Sequence, residues 1–154
     1  CAIILPILDY GRRHNKFLYR IYSNLFITFT RPIEQGILSG ASWVIIGAAV
    51  TIFIFNENSA IIGLLVLSIA DSAAAIIGIK FGKTQLFSKS LEGSAAFFIT
   101  AAIIVFTISP AAFYINFIAV LTATVVELFA TPRINDNLLI PMVTAFILTL
   151  GGIG

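Results

Sequence analysis

Long apolar runs separated by short polar connectors dominate the sequence. Five such runs cover about residues 39–55, 60–79, 93–108, 112–130 and 138–153. Each approaches the length of about 20 mostly apolar residues that one membrane-spanning helix needs. Because the connectors are short, consecutive helices are expected to lie side by side in antiparallel order. The pattern therefore predicts an all-α protein, a polytopic transmembrane helical bundle of about five full spans.

The first 39 residues give weaker signals. Residues 1–8 are apolar from the first position and predict the end of a further, partial span, so we expect an N-terminal part of the natural protein to precede them. Residues 15–31 place apolar side chains at helical spacing among Lys16, Arg20 and Arg31. This pattern predicts an interfacial amphipathic helix on the membrane surface, and a loop with a short helix packed on the bundle is an equal alternative.

The composition separates the chain from ordinary soluble domains. Of its 154 residues, 59% are hydrophobic and 10% are charged, whereas soluble domains carry about 25% charged residues. A chain this short has too little interior to hide so much apolar surface from water. We expect residues 1–154 to form a single transmembrane domain. The net charge of +2 gives no indication of nucleic acid binding, and the one cysteine, Cys1, excludes an intrachain disulfide.

The basic residues predict the orientation of the bundle. All nine precede the first apolar run, lie between the second and third, or lie between the fourth and fifth. They are Arg12, Arg13, Lys16, Arg20, Arg31, Lys80, Lys83, Lys89 and Arg133. In a five-span bundle these segments share one side, which the positive-inside rule assigns to the cytosol. We expect an integral membrane protein of the bacterial inner membrane or the endoplasmic reticulum, with its polar site facing the cytosol.

Two acids lie inside the apolar runs, Asp71 in the second and Glu127 in the fourth. An acid near the bilayer centre costs about 2.5–3.5 kcal/mol on insertion scales, so it is a functional residue by default. Asp71 lies nine residues before Lys80, and Glu127 lies six residues before Arg133, so both are near the cytosolic ends of their helices. We expect them to face one cavity. The alternative is a hydrogen bond that only fixes helix packing, and it is stronger for Glu127.

The connector after the second run combines glycines, lysines and hydroxyl groups. It contains Gly78, Lys80, Gly82, Lys83, Lys89, Ser90, Glu92 and Gly93. Glycines let backbone N–H groups approach an anion, and lysines neutralise phosphate charge. With Asp71 nearby to bind a divalent cation, the connector is a candidate nucleotide-phosphate site. Residues 78–84 resemble a Walker A motif but are one residue short and follow a membrane helix, so we reject a P-loop. The positive-inside rule alone explains the lysines equally well.

Three blocks, in this order along the chain, resemble one known family. The first is Arg31-Pro-Ile-Glu34 with Leu38-Ser39-Gly40-Ala41. The second begins at Asp71 and follows D-[ST]-x-A-x-x-x-G-x-x-x-G-K and then K-[ST]-x-E-G. The third is Glu127 with Asp136-Asn137-Leu-Leu-Ile-Pro141. Together they resemble the CTP-dependent lipid kinases, which include dolichol kinase, phytol kinase, CTP-dependent diacylglycerol kinase and bacterial diacylglycerol/polyprenol kinases.

The resemblance implies transfer of the γ-phosphate of CTP, or of ATP, to a lipid alcohol such as a polyprenol, dolichol, phytol or diacylglycerol, with Mg²⁺ as cofactor. The implied catalytic residues are Asp71, Glu92 and Glu127. The implied metal ligands are Asp71, Glu127 and Asp136. The implied phosphate-binding residues are Arg31 and Gly78, Lys80, Gly82, Lys83, Lys89, Ser90 and Gly93 of the connector. Further residues at the cytosolic mouth are Glu34, Ser39 and Asn137. The resemblance does not identify which lipid alcohol is the substrate, and it allows a homodimer.

The chain departs from the family pattern in one respect. Family members commonly carry an Arg-Lys-x-x-His-like motif in an early helix, and His14 does not match it.

Other functional interpretations also remain. A phosphatidate cytidylyltransferase, which makes CDP-diacylglycerol from CTP, has a related pattern but an extended C-terminal signature with further acids. A small ion- or proton-coupled transporter could use Asp71 and Glu127 as a relay, but it predicts functional polar groups on both sides of the membrane.

Overall fold

The computed structural model describes residues 4–11, 40–87, 89–130 and 135–152. Each of the five apolar runs forms a helix there. The helices are α1 Ile4–Gly11, α2 Gly40–Ile54, α3 Glu57–Phe81, α4 Leu91–Ile108, α5 Phe113–Leu128 and α6 Asp136–Leu150. A two-stranded hairpin, β1 Gln85–Leu86 and β2 Lys89–Ser90, joins α3 to α4. The prediction of an all-helical bundle is thus correct in its main elements. The amphipathic helix predicted over 15–31 lies outside the described residues.

Polar side chains cap several helices at their N-terminal ends. Asn56 accepts a hydrogen bond from the backbone N–H of Ser59 at the start of α3, and Ser90 accepts one from Gly93 at the start of α4. Asn135 does the same for α6. Asn and Ser are favoured at this position because the first N–H groups of a helix have no partner within it. The polar connectors therefore set where the apolar helices begin.

Helix α3 is continuous but not regular. Its Val66–Ala70 segment is π-helical, between the α-helical segments Glu57–Leu65 and Asp71–Phe81. A π turn inserts one extra residue and changes which side chains share a face. Asp71, the acid that interrupts the apolar run, is the first residue after this segment.

Helix α6 lies at the centre of the packing and contacts α2, α3 and α5. Two glycines allow the close approach. A Cβ at Gly47 of α2 would lie 2.5 Å from the carbonyl oxygen of Asn137, and a Cβ at Gly63 of α3 would lie 2.5 Å from that of Pro141. Real Cβ contacts are never this short, so only glycine brings these backbones together. The remaining core is aliphatic and aromatic, with Phe97 of α4 fully buried.

Large apolar side chains also cover the outside of the bundle, and Phe53 and Ile79 are almost fully exposed. Two helices, Glu57–Phe81 and Leu91–Ile108, are long and apolar enough to cross a membrane, while Gly40–Ile54, Phe113–Leu128 and Asp136–Leu150 are apolar but shorter. The length criterion thus supports two of the five predicted spans. Water is a poor solvent for such a surface.

The hairpin returns the chain from α3 to α4 in a fixed register. Gln85 pairs with Ser90 and Leu86 with Lys89 in antiparallel order. Phe87 at the turn has a positive φ of 56°, and its ring packs against Phe129 at the end of α5, with centroids 5.0 Å apart. This ring contact ties the turn of the hairpin to the C-terminal end of α5.

Candidate active site

A cavity of about 540 Å³ lies at the end of the bundle where the hairpin is attached. The beginnings of α2, α4 and α6 and the C-terminal parts of α3 and α5 meet there, because consecutive helices run in opposite directions. Small side chains of α2 and α3 form one part of its wall: Gly40, Ala41, Ala74, Ala75 and Gly78. Polar side chains form much of the rest: Asp71, Gln85, Lys89, Ser90, Glu127, Asp136 and Asn137.

The ammonium group of Lys89 is the centre of the polar wall. Its Nζ donates a hydrogen bond of 2.8 Å to Oδ2 of Asp136. It lies 3.2 Å from Oε1 of Glu127 and 4.0 Å from Oδ1 of Asp71. The three acids come from α3, α5 and α6, far apart in the sequence. One cation therefore connects three carboxylates, which leaves this group of four side chains with a formal charge of −2 (three negative charges and one positive).

The pKa of Lys89 shows the strength of this arrangement. Burial is the largest single effect and lowers the pKa. The hydrogen bond to Asp136 and the attraction of Asp136, Glu127 and Asp71 together outweigh it, so the pKa is raised above the ordinary lysine value. Lys89 is therefore a fully charged ammonium at neutral pH.

Glu127 is the most deeply buried of the three acids, with 1% of its surface exposed. Its Oε2 accepts a hydrogen bond of 2.8 Å from the hydroxyl of Ser94 in α4, and its Oε1 faces Lys89. A buried carboxylate needs such partners, since an unpaired one costs several kcal/mol or more. Asp71 and Asp136 differ in being partly exposed, at 31% and 19% of their side chains.

Three glycines of the connector pack around the side chain of Ser90. A Cβ at Gly78 or Gly93 would lie 2.9 Å from Oγ of Ser90, and one at Gly82 would lie 2.8 Å from it. The same oxygen accepts the backbone N–H of Gly93. The glycine pattern that suggested a phosphate-binding loop therefore has a packing cause as well: it lets the hairpin lie directly against α3.

Several predicted site residues lie away from the cavity wall. Lys80 and Lys83 are exposed. The carboxylate of Glu92 accepts the backbone N–H of Thr84, at 3.2 and 3.3 Å, and so closes the loop before the hairpin. Three further candidates, Arg31, Glu34 and Ser39, lie outside the described residues.

The sequence analysis missed two polar residues, Ser94 and Gln85. Ser94 immediately follows the K-[ST]-x-E-G pattern, but it belongs to another helix than Glu127, so helical spacing gives no signal for their contact. Gln85 lines the cavity from β1. Ser68 precedes Asp71 by three residues, a spacing that predicts one shared helix face, but it lies in the π-helical segment and is exposed.

Oxygen ligands for a divalent cation are present, but they do not form a complete cage. Within residues 4–11, 40–87, 89–130 and 135–152, no three His, Cys, Asp or Glu side chains are grouped as a metal site. Lys89 occupies the position between the carboxylates. Mg²⁺ usually keeps several waters and binds one or two carboxylates together with substrate phosphates. The carboxylates of Asp71 and Asp136 are partly exposed and line the cavity.

Comparison with known proteins shows to which relatives this chain is similar. No family model matches the chain, and no solved structure matches it. An uncharacterized protein of Rickettsia prowazekii is 34% identical over 144 residues, which are 88% of this chain and 71% of that protein. The chain belongs to the same family.

Two more distant relatives have functional names. A CTP-dependent diacylglycerol kinase of Saccharomyces cerevisiae is 35% identical over 104 residues, 66% of this chain and 36% of the kinase. A dolichol kinase of Schizosaccharomyces pombe is 28% identical over 154 residues, 90% of this chain and 29% of that kinase. The chain thus spans about a third of the length of these kinases. Homology to both supports a lipid kinase in general.

Proposed function

We propose that the protein is a membrane lipid kinase that transfers the γ-phosphate of CTP, or of ATP, to a lipid alcohol such as a polyprenol, dolichol, phytol or diacylglycerol. One observation carries the proposal. A single cavity at one end of an apolar bundle gathers Asp71, Lys89 and Asp136 around an open volume. Both named kinase relatives act on lipids according to their names.

The charge of the cavity supports a divalent cation as cofactor. Lys89 and its three carboxylates carry a formal charge of −2, so a triphosphate alone would be repelled. At an effective dielectric constant of 20, two unit charges 4 Å apart interact by about 4 kcal/mol. Mg²⁺ bound to Asp71 and Asp136 would supply the charge neutralisation that phosphoryl transfer requires. Glu127 lies behind them as a third, buried acid.

The residues of the chain would then act mainly by positioning. Lys89 orients the carboxylates, and the exposed Lys80 and Lys83 attract the phosphates at the rim. Asp71 accepts the proton of the lipid hydroxyl as that oxygen bonds to the γ-phosphorus. The bond from the γ-phosphorus to the bridging oxygen breaks, and the nucleoside diphosphate leaves. Such a transfer needs alignment and charge neutralisation but no covalent intermediate.

The apolar exterior supports insertion of the bundle in a membrane, and we propose five spans with the cavity on the cytosolic side, as the distribution of basic residues predicts. Large side chains such as Ile79 and Phe81 are exposed close to the polar cavity, so in a bilayer the cavity would lie near the interface. A lipid alcohol, which keeps its hydroxyl at the interface and its chains in the bilayer, could reach Asp71 from there. The host membrane would be a bacterial inner membrane or the endoplasmic reticulum.

The deciding experiment is transfer of label from γ-labelled CTP, with Mg²⁺, to a panel of lipid alcohols by the purified full-length protein, with ATP in parallel. Label in a lipid phosphate identifies the kinase and its substrate class. No transfer to any alcohol would contradict the proposal, and release of labelled pyrophosphate on addition of phosphatidate would indicate a cytidylyltransferase instead.

The variant Asp71→Asn tests the site within the same assay. It should abolish transfer and leave the yield of folded protein in detergent unchanged, because it removes a charge from a partly exposed side chain. Glu57→Gln is the matched control, since Glu57 is an exposed acid in the first turn of the same helix. Full activity of Asp71→Asn would exclude Asp71 from the site.

A further inference from the structure

The hydroxyl of Ser94 makes a contact that the proposed mechanism does not use. Ser94 is 5% exposed and does not line the cavity. Its Oγ donates to Oε2 of Glu127 at 2.8 Å. The other carboxylate oxygen, Oε1, lies 3.2 Å from Nζ of Lys89. Both oxygens of Glu127 are therefore engaged, one by a neutral hydroxyl and one by an ammonium group.

These two contacts fix the orientation of the Glu127 carboxylate. The terminal torsion of a glutamate side chain is broad, so one contact alone leaves the group free to rotate. A donor on each oxygen removes that freedom. Because Glu127 is 1% exposed, water has little access to replace a lost donor. The orientation of Glu127, and with it one of the three carboxylate contacts of Lys89, thus depends on a hydroxyl of a neighbouring helix.

We infer that Ser94 is a positioning residue of the reaction: it orients Glu127, which in turn orients the Lys89 ammonium group in the cavity. The inference rests on the proposed kinase function. It also assigns Glu127 a part in the positioning of Lys89, because its two oxygens are engaged by Ser94 and by Lys89.

The test is a double-mutant cycle in the full-length protein. The variants are Ser94→Ala, Glu127→Met, which removes the acceptor, and the two combined, with Ser94→Thr as the conservative change that keeps the hydroxyl. Thr51→Val is the matched control: Thr51 is another fully buried hydroxyl residue, but its Oγ donates to the backbone carbonyl of Gly47. For each variant, kcat and KM for CTP are measured with the lipid alcohol, and the unfolding temperature is measured in the same detergent.

We expect Ser94→Ala to lower kcat by roughly tenfold or more, as for a lost hydrogen bond to a charged group. KM for CTP should stay within about twofold, since the nucleotide does not contact Ser94. Ser94→Thr should restore most of kcat, and Thr51→Val should leave it unchanged. In the Glu127→Met background, where Ser94 has lost its acceptor, Ser94→Ala should have little further effect on kcat or on the unfolding temperature, because the two residues act as one unit.

Two results would overturn the inference. One is Ser94→Ala with wild-type kcat. The other is a decrease in kcat on Ser94→Ala substitution that is equally large with and without Glu127. That result would show a general packing defect. A failure of the proposed function looks different: the wild-type protein itself transfers no phosphate, while the unfolding temperatures still report whether Ser94 and Glu127 are coupled.

Discussion

Lys89 organises the candidate site because it is the common partner of acids from three helices. It contacts Asp136 and Glu127 closely and Asp71 at a longer distance. Loss of one member of a partly buried ion cluster is costly mainly because the remaining charges lose their compensation. Without Lys89, like charges from α3, α5 and α6 would face each other across the cavity.

The substitution Lys89→Met should therefore lower both activity and stability. We expect a loss of phosphate transfer of at least about tenfold, the scale of a lost charge-assisted hydrogen bond, together with a lower unfolding temperature. Glu57→Gln is the control, because Glu57 is an exposed charged residue at the opposite end of α3 and lies outside the cavity wall. Transfer and thermal unfolding by both variants check the prediction, and equal effects of the two substitutions would contradict it.

The raised pKa of Lys89 also predicts a pH dependence. A lysine whose pKa is higher in the folded than in the unfolded state stabilises the fold fully below the unfolded value, about 10.4. That contribution is lost only as the pH rises through the folded value, which lies above it. The difference in unfolding temperature between wild type and Lys89→Met should thus be constant between about pH 7 and 9 and shrink only above about pH 10.4. A difference that already disappears at neutral pH would show that Lys89 is not held as a charged group.

At the scale of elements, backbone contact with α6 determines how closely α2 and α3 pack. Gly47 faces the carbonyl of Asn137, a residue of α6 that lines the cavity. In an α-helix that carbonyl would bond to the N–H four residues later, but Pro141 has none. The absence of a side chain at Gly47 lets α2 lie against this part of α6.

The variant Gly47→Ala should accordingly destabilise the protein, although alanine is intrinsically the better helix former by about 1 kcal/mol. Its Cβ would lie 2.5 Å from a backbone oxygen that has little room to move. Overpacking of this kind costs about 1–3 kcal/mol, which thermal unfolding would detect as a drop of several degrees. Ala49→Ser on the exposed side of the same helix is the control. A higher unfolding temperature of Gly47→Ala would refute the close contact.

The helices could be predicted from the sequence because apolar length and polar interruptions are local signals. The site was only partly predictable, because it depends on contacts between elements. Helical spacing correctly groups Asp71 with Ala75 and Gly78 on the cavity wall, since all three follow the π-helical segment. Ser68 lies within that segment, so the same spacing misplaces it. Ser94 reaches Glu127 from another helix, and one sequence contains no signal for such a pair.

At the scale of the whole molecule, the cavity occupies one end of the bundle. The hairpin and the cavity lie at the end where α3 finishes, and Glu57 begins α3 at the opposite end. The Glu57–Phe81 helix has 25 residues, about 37 Å at 1.5 Å per residue, more than the roughly 30 Å hydrocarbon core of a bilayer. If this helix crosses the membrane, its two ends must be accessible from opposite sides.

Cysteine labelling in sealed vesicles tests this geometry directly. In a Cys1→Ser background, which removes the one native thiol, single cysteines replace Asn58 and Lys83, exposed residues near opposite ends of α3. A membrane-impermeant thiol reagent should label Lys83→Cys from the cytosolic side alone and Asn58→Cys from the other side alone, because the positive-inside rule predicts that the basic connector lies in the cytosol. The background without cysteine is the control. Labelling of both positions from the same side would show that α3 does not span the membrane. Labelling of Lys83→Cys from the non-cytosolic side alone would place the cavity away from cytosolic CTP and would contradict the proposed kinase.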